Sequence, residues 1–149
     1  MTELEKAYVA GFIDGEGCVS FATRKVKQVT YITPTVQIAN TNRSVLQWIA
    51  ELYDVNVYDR IEDPRPTRKK VYRVVVCGEI ARQMLKDVYP YLKVKREQAK
   101  IILGQNITKV KKSRKTGRLI RSITPTIEKD NRERLAKVRL LNKRGRNVA

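Results

Sequence analysis

Residues 3–15, "ELEKAYVAGFIDG", carry apolar and small side chains at the three- and four-residue spacing of a helix. Within this stretch Ala7, Gly11 and Gly15 form a stripe of small residues, four positions apart. A glycine inside a helix costs about 1 kcal/mol relative to alanine, so the stripe needs a compensating reason. Small side chains let two helix backbones approach closely. The pattern therefore predicts a first helix that packs tightly against another helix, and a second copy of the chain is one candidate.

Strict alternation of apolar and polar residues replaces this spacing in residues 18–27 and 29–39. The alternating apolar positions are Val19, Phe21, Ile32, Val36 and Ile38. The opposite face carries mostly polar side chains, among them Ser20, Arg24, Tyr31, Thr33, Thr35 and Gln37. Such alternation predicts two strands of a sheet with one buried and one polar face. The polar face carries no acid and could meet DNA; an ordinary solvated face is the alternative.

The second half of the chain repeats this order of elements. "NTNRSVLQWIAELYD" predicts an amphipathic helix that begins near the capping candidates Asn42 and Ser44. Alternation returns in "VNVYDRI" and "KVYRVVVC", where Tyr58, Arg60 and Arg73 point away from the apolar face. The proline-bearing basic loop "EDPRPTRKK" separates these strands, and two helices follow in "GEIARQMLKDVYPYL" and "KREQAKIILGQNI". The pattern predicts an α+β fold with helices on one face of a sheet and the other face open.

The charge of the chain indicates a polyanionic partner. Its 149 residues include 32 Lys and Arg against 15 Asp and Glu, a formal net charge of +17, and 42% are hydrophobic. So large a surplus favours nucleic acid, while a ribosomal or merely soluble basic protein is the alternative. The length suits one domain over residues 1–149, with its core in about 4–104.

Composition also excludes several kinds of site. The chain has no histidine, which excludes imidazole bases and His-metal motifs. Cys18 and Cys77 are too few for a disulfide framework or a zinc site. No run approaches the ~18 apolar residues of a membrane span, and Glu3 and Glu5 interrupt the start where a secretory leader would be apolar. We therefore expect an intracellular protein with reduced thiols.

Positive charge is concentrated in the last third of the chain. Residues 105–149 hold 15 Lys and Arg and 3 Asp and Glu, which gives +12 of the +17. "KVKKSRKTGR" predicts a flexible basic loop, "TIEKDNRERLAKVRLLN" a helix and "KRGRNVA" a loose end. Contact with phosphates is the functional interpretation of this extension, and a solubilising tail is the alternative.

The end of the first predicted helix raises an electrostatic question. Asp14 and Glu16 lie where a helix already carries partial negative charge, so acids there cost a few tenths of a kcal/mol to about 1 kcal/mol. Either a positive charge offsets them, or they are present for a reason other than stability.

Three stretches of the chain resemble the LAGLIDADG homing endonucleases. "VAGFIDGEG", Val9 to Gly17, resembles the family signature, with Glu16 in place of the usual second aspartate. "YLKVKREQA", Tyr91 to Ala99, resembles the segment of that family that carries a catalytic lysine. "VQIANTN", around Asn40, is a weaker match. The resemblance covers residues 4–104 and implies an αββαββα fold with a curved four-stranded antiparallel sheet for DNA binding, followed by extra C-terminal helices.

In that family the acids of two signature helices meet at a two-fold axis and bind divalent metal together with the scissile phosphates. A single signature implies a homodimer, with an interface that includes Ala7, Gly11, Asp14 and Gly15. The resemblance implies Mg²⁺ bound by Glu16 and the Gly15 carbonyl, with Mn²⁺ as a substitute and Ca²⁺ binding without supporting cleavage. Asp14 is expected to be mainly structural, with direct metal ligation as the alternative.

The implied activity is hydrolysis of both strands of a long pseudo-palindromic DNA site, which would promote mobility of a host intron or intein. Lys95 would stabilise the developing phosphorane charge or help to activate water, and Asn40 would order water. The open sheet face would lie in the major groove. The residues expected to contact DNA are Ser20, Arg24, Tyr31, Thr33, Thr35, Gln37, Arg43, Tyr58, Arg60, Arg73 and Lys93.

The partners implied by the resemblance are double-stranded DNA and a second copy of the chain, rather than a membrane or a small-molecule substrate. A relative that binds nucleic acid without cutting it, as an intron RNA maturase or a DNA-binding regulator, is the alternative.

Overall fold

The computed structural model describes residues 1–26, 29–59, 69–104, 110–112, 119–121 and 125–144. In chain order they form α1 (Glu3–Glu16), β1 (Gly17–Val26), β2 (Val29–Asn40), α2 (Arg43–Leu52), β3 (Val57–Asp59), β4 (Tyr72–Cys77), α3 (Gly78–Val88), α4 (Arg96–Leu103), β5 (Val110–Lys112), β6 (Leu119–Arg121) and α5 (Pro125–Arg144). This order confirms the predicted succession from α1 to α4 and the last helix, whereas β5 and β6 were not predicted. Arg60, most of the loop "EDPRPTRKK" and the last five residues of the chain lie outside the described residues.

Helix α1 begins with a capping box and ends in a turn that requires glycine. The Thr2 hydroxyl accepts a hydrogen bond from the Glu5 N–H at 3.2 Å, and the Glu5 carboxylate accepts one from the Thr2 N–H at 2.6 Å. At the other end the Gly17 N–H donates to the Ile13 carbonyl. A Cβ on Gly17 would lie 2.7 Å from that carbonyl oxygen, so only glycine lets the chain pass directly from α1 into β1.

Strands β1 to β4 form one antiparallel sheet in the order β1-β2-β4-β3. β1 and β2 make a long hairpin whose base pairs Gly17 with Ile38. β2 also pairs with β4 as far as Asn40 opposite Tyr72, which places β2 in the interior of the sheet. The four-stranded antiparallel sheet and its helices confirm the predicted α+β fold class.

The hydrophobic core lies between one face of this sheet and the helices. Its fully buried members include Val19, Val36, Ile38, Val74 and Val76 from the strands and Val9, Ile13, Leu46, Ile49, Met84, Leu85 and Ile102 from the helices. Arg82 of α3 is buried at the edge of this layer, and its guanidinium donates to the carbonyls of Ile102 and Leu103 at 2.9 and 3.0 Å. These bonds satisfy carbonyls at the C-terminal end of α4 and join α3 to α4.

Helix α5 runs along the β1–β2 hairpin on the core side. Near the tip of the hairpin the Glu128 carboxylate accepts a hydrogen bond from the Thr30 N–H at 3.5 Å. Near its base the Asn142 side-chain amide donates to the Val19 carbonyl at 3.1 Å. Leu135 and Val138 are buried between these points. The predicted helix is therefore confirmed, and its apolar stripe closes the core under the hairpin.

The predicted flexible loop "KVKKSRKTGR" is partly wrong. β5 pairs with β6 as an antiparallel ladder, with Lys111 opposite Ile120. The prediction of a loop rested on the high density of Lys and Arg, and composition does not reveal so short a strand. Residues 113–118 lie outside the described residues.

Among the described helices, none is both long and apolar enough to cross a membrane.

Candidate functional site

The C-terminal end of α1 places Glu16 at the protein surface. Glu16 is the last residue of the helix and is exposed, as is Gly15 before it. The final carbonyls of a helix have no partner within it and point along the axis beyond its end. In α1 the Ile13 and Asp14 carbonyls accept hydrogen bonds from the Gly17 N–H and the Lys95 ammonium, and the Glu16 carboxylate and the neighbouring Gly15 carbonyl are oxygen groups of the kind that hard cations prefer.

Asp14, two residues earlier, turns away from this exposed end toward the turn that precedes α4. Its carboxylate accepts hydrogen bonds from three consecutive backbone N–H groups, those of Lys93 at 2.7 Å, Val94 at 3.1 Å and Lys95 at 2.8 Å. Both carboxylate oxygens take part, Oδ2 with the first two amides and Oδ1 with the third. A run of successive N–H groups of this kind forms a cradle for an anion.

The Lys95 side chain places a positive charge at the end of α1. Its ammonium Nζ donates to the main-chain carbonyl of Asp14 at 2.5 Å, and its side chain is half-buried. A cation near the C-terminus of a helix is favourable by about 0.3–1 kcal/mol at exposed sites. The electrostatic question posed by the sequence thus has an answer within one chain for Asp14 and for the helix end, but not for Glu16. Backbone amides offset Asp14, and the Lys95 ammonium offsets the helix end.

Segment 91–95 also contacts the start of α1. The Tyr91 hydroxyl donates to the Glu3 carboxylate, which Lys6 approaches at 2.6 Å. The Lys6 ammonium and then the Tyr91 hydroxyl lower the pKa of Glu3 from its usual value, and the Glu3 carboxylate raises the pKa of Tyr91. Both ends of α1 are therefore tied to the segment that carries Lys95.

Asn40 lies at the end of β2, close to the junction of α1 and β1. Because Gly17 pairs with Ile38, the strand end that carries Asn40 runs beside the last residues of α1. Its side-chain oxygen accepts a hydrogen bond from the Asn42 N–H at 2.8 Å, and it is half-buried. Asn40 thus shapes the turn into α2, and its predicted role in ordering water stays a prediction.

Arg43 and Lys93 are both exposed near this end of the molecule. The Arg43 guanidinium lies over the ring of Tyr72, 5.9 Å from its centroid. Lys93 contributes its backbone N–H to the Asp14 carboxylate and leaves its side chain in solvent. Glu16, Lys95 and Asn40 are brought to one end of the sheet, with these two cations close by.

The register shows that the predicted polar residues share the open face of the sheet. Directly opposite residues lie on the same face, and the pairs are Ser20 with Thr35, Arg24 with Tyr31, and Tyr58 with Arg73. By the same register Gln37 and Thr33 also lie on this face, and Arg73 lies opposite Ala39 on β2. Arg60 is outside the described residues. The register therefore places the other predicted residues on one face, but Thr35 is only 8% exposed and its hydroxyl donates to the Thr33 carbonyl, so its expected availability for DNA is wrong. DNA contact by the remaining residues stays a prediction.

Five further residues on this face have small or apolar side chains. They are Cys18, Ala22, Ala39, Val75 and Cys77. The pairing of Cys18 with Gln37, and of Cys77 with Thr35, could have been found only from the register. These small and apolar groups can contact thymine methyl groups but cannot donate to base edges as arginine does.

The small-residue stripe on α1 is exposed along most of its length. Gly11 and Gly15 are exposed, Ala7 is half-buried, and a Cβ on either glycine would meet no described atom of this chain within 4 Å. Leu4 and Tyr8, which are 85% and 54% exposed, extend this surface toward the start of the helix. Helical periodicity alone could not identify them as exposed, because it does not show which face of α1 meets the core.

An apolar groove adjoins this stripe between α1 and α2. Its lining includes Leu4, Tyr8, Val45 and Trp48, and the Tyr8 ring meets the Trp48 ring edge-on with centroids 5.5 Å apart. The exposed face of α1 therefore runs from this groove to Glu16.

One copy of the chain offers few ligands to a metal ion. Among the described residues no group of three or more Cys, Asp or Glu side chains could hold one. At the end of α1 the Asp14 carboxylate is already engaged by backbone amides, which leaves Glu16 as the available acid there. A divalent cation at this point needs oxygen ligands from outside the chain, such as phosphates or a second Glu16.

Comparison with known proteins gives matches at the level of structure. No protein-family model matches the chain, and no curated protein matches its sequence. The homing endonuclease I-CvuI, in complex with uncleaved I-CreI target DNA in the presence of Mg, is 23% identical, covers 93% of this chain and 82% of that chain, and has a TM-score of 0.67. The archaeal intron-encoded homing endonuclease I-Vdi141I, complexed with DNA, is 22% identical, covers 67% of this chain and 65% of that chain, and has a TM-score of 0.54. With its four-stranded antiparallel sheet and with the signature on the helix that leads into it, the chain therefore has the fold of the LAGLIDADG homing endonucleases.

Proposed function

We propose that this protein is a homodimeric, metal-dependent endonuclease that cuts both strands of a long, pseudo-palindromic DNA site. The observation that carries the proposal is the end of α1. There an exposed Glu16 lies one residue before the sheet, and the Lys95 ammonium is held against the same helix end. An exposed acid beside a fixed cation, at the border of an open polar face, suits cleavage of a phosphodiester bound on that face.

The open face of the sheet supports duplex DNA as the substrate. It carries Arg24 and Arg73 among uncharged polar groups, and the whole chain has a net charge of +17. Arginine pairs with guanine, and glutamine, here Gln37, pairs with adenine in the major groove. Arg43 and Lys93 have exposed side chains and would contact phosphates, and such contacts fix the position of the protein without reading sequence.

Mg²⁺ is the metal that the ligands fit best, because they are a carboxylate, a helix-end carbonyl and phosphate oxygens. Glu16 and the Gly15 carbonyl would hold it, with Mn²⁺ as a substitute and Ca²⁺ as an ion that binds without supporting cleavage. The metal would supply an activated water and stabilisation of the leaving oxygen. Lys95, whose ammonium donates to the Asp14 carbonyl at the end of α1, would stabilise the negative charge that develops on the phosphoryl group, and Asp14, engaged by backbone amides, would not be a metal ligand.

A homodimer is favoured by the glycines of α1. Gly11 and Gly15 destabilise a helix, and a side chain at either position would touch no described atom of this chain. Their benefit must therefore arise from a neighbour, and two α1 helices that cross at a two-fold axis would give an isologous contact. The same arrangement would bring two Glu16 side chains and two DNA strands together. In the cell such a protein would act where its DNA is, and cutting of an intron- or intein-free allele would promote mobility of a host element.

Cleavage of a randomised duplex library, with Mg²⁺ and with excess chelator, tests the proposal. We expect Mg²⁺-dependent double-strand cuts at a site with two-fold pseudo-symmetry. Glu16→Gln should abolish cutting and retain specific binding, because it removes one charge at nearly constant shape. Glu133→Gln, on the exposed side of α5, is the matched control and should cut at the wild-type rate. Binding without cutting by the wild-type protein would support a non-cleaving nucleic-acid-binding protein instead.

A further inference from the structure

We propose that Asp14 is a positioning residue that holds Lys95 in place for catalysis, rather than a metal ligand. This inference rests on the proposed endonuclease function and concerns how the catalytic lysine of that site is fixed. The single residue Asp14 holds Lys95 twice. Its carboxylate accepts the Lys95 backbone N–H at 2.8 Å, and its main-chain carbonyl accepts the Lys95 ammonium at 2.5 Å.

Burial does not fix the turn that carries Lys95. Leu92 before it and Gln98 after it are buried, but the residues between them are exposed or half-buried, and Val94 is 71% exposed. Lys95 is also the N-cap of α4, and its side chain makes no capping hydrogen bond there. Packing and Arg82 hold α4 further along its length, whereas at the turn itself the three amides of residues 93–95 converge on Asp14.

The chemistry of this cradle requires a carboxylate. Three N–H donors meet two acceptor oxygens, and hydrogen bonds to an ionised acceptor are shorter and stronger than neutral ones. An asparagine at position 14 has one acceptor oxygen and one NH₂ donor group. In either orientation its NH₂ group would face at least one backbone N–H of residues 93–95. Asp14→Asn should therefore release the turn although its side chain has nearly the same shape.

A positioning role can be distinguished from metal ligation and from a dimer contact by the quantity that a substitution of Asp14 changes. Displacement of a catalytic group by about 1 Å can lower a rate about 100-fold while binding is unaffected. Loss of a metal ligand would instead raise the Mg²⁺ concentration needed for half-maximal rate. Loss of a dimer contact would weaken the association of two copies. The sequence resemblance placed Asp14 at the dimer interface, so the three possibilities need separate measurements.

The test compares Asp14→Asn, Lys95→Ala and the double variant in single-turnover cleavage of the target duplex. We expect Asp14→Asn to cut about 100-fold more slowly, with the Mg²⁺ requirement, the DNA dissociation constant and the dimer dissociation constant within about twofold of wild type. Asp14→Asn should cause little further loss in the Lys95→Ala background, because both variants remove the same ammonium from its place. Asp14→Glu should recover part of the rate by restoring the charge.

Asp54→Asn serves as the matched control, since Asp54 is exposed and has a positive φ of 50°, a conformation that asparagine also adopts readily. It should leave cleavage unchanged. Additive losses in the double variant, or a Mg²⁺ requirement raised more than tenfold by Asp14→Asn, would overturn the inference.

Amide hydrogen exchange separates a failure of this inference from a failure of the proposed function. Asp14→Asn should accelerate exchange at the N–H groups of residues 93–95 selectively. Unchanged exchange there would overturn the positioning role whether or not the protein cuts DNA. If the wild-type protein cuts no DNA but Asp14→Asn still accelerates exchange selectively at residues 93–95, the endonuclease function is refuted and the positioning of the turn by Asp14 is supported.

Discussion

Replacement of Gly11 by leucine gives a sharp test of the exposed stripe on α1, because the change should act in opposite directions on the monomer and on the dimer. Within the monomer a Cβ at this position meets no described atom within 4 Å, and leucine favours a helix over glycine by about 0.8 kcal/mol. For a domain of this size that gain raises the melting temperature of the monomer by about 2–4 °C.

In the proposed dimer the added side chain would keep the two helix backbones apart. Helices that cross through small residues lie at the short end of the 8–10 Å range of interaxial distances, and leucine does not fit there. We expect the dimer dissociation constant to rise at least tenfold, which corresponds to about 1.4 kcal/mol. Gly11→Leu should therefore melt above wild type at concentrations where both are monomers and below it where wild type is a dimer.

Sedimentation equilibrium over a range of protein concentrations, with thermal melts at the two extremes, measures both effects. Ala136→Leu adds the same side chain to an exposed position of α5 and should leave association unchanged. A Gly11→Leu protein that is more stable at every concentration, with the dissociation constant of wild type, would refute the stripe as the dimer contact. A lower stability of the isolated monomer would refute the open geometry around Gly11.

Three shorter predictions concern the sheet face, the turn after α1 and the acid stability. Cys18 and Cys77 are exposed on the open face, so target duplex should slow their alkylation by maleimide at least tenfold, while DNA that binds elsewhere would leave both rates unchanged. Gly17→Ala places a Cβ 2.7 Å from a backbone oxygen, and we expect it to lower the free energy of unfolding by about 1–3 kcal/mol in urea titrations; an unchanged midpoint would contradict the close contact. The Thr2 N–H lowers the pKa of Glu5 from 4.5, so its contribution to stability is present above pH 4.5 and is lost as the pH falls through the folded-state pKa. Glu5→Gln should therefore unfold with a weaker dependence on pH below 4.5 than wild type, and an equal dependence would contradict the assignment.

The fold was predictable where periodicity is strong. The alternation through Val19 and Phe21 predicts a strand with one buried face, and the register places Ser20 opposite Thr35 on the other face, as expected. A period of two residues fixes faces in this way because adjacent side chains of a strand point in opposite directions. The order of the elements followed from the same signals.

The contacts that build the site were not predictable from pattern. Asp14 binds backbone amides that are 79 to 81 residues away, and a backbone amide gives no signal in the sequence. The exposure of Leu4 and Tyr8 also needed the structure, since both are apolar residues at helical spacing. A search by residue type can find Lys95 as a candidate, but it cannot find the group that holds Lys95.

The position of α5 links the shape of the β1–β2 hairpin to a helix on the core side of the sheet. α5 is fastened near the tip of the hairpin through Glu128 and near its base through Asn142, and Leu135 fills the space between. A helix that is bonded at both ends of the hairpin in this way limits how far the hairpin can bend. Under the proposed function, a change in the size of Leu135 should alter which outer base pairs the hairpin contacts, without any substitution on the open face of the sheet.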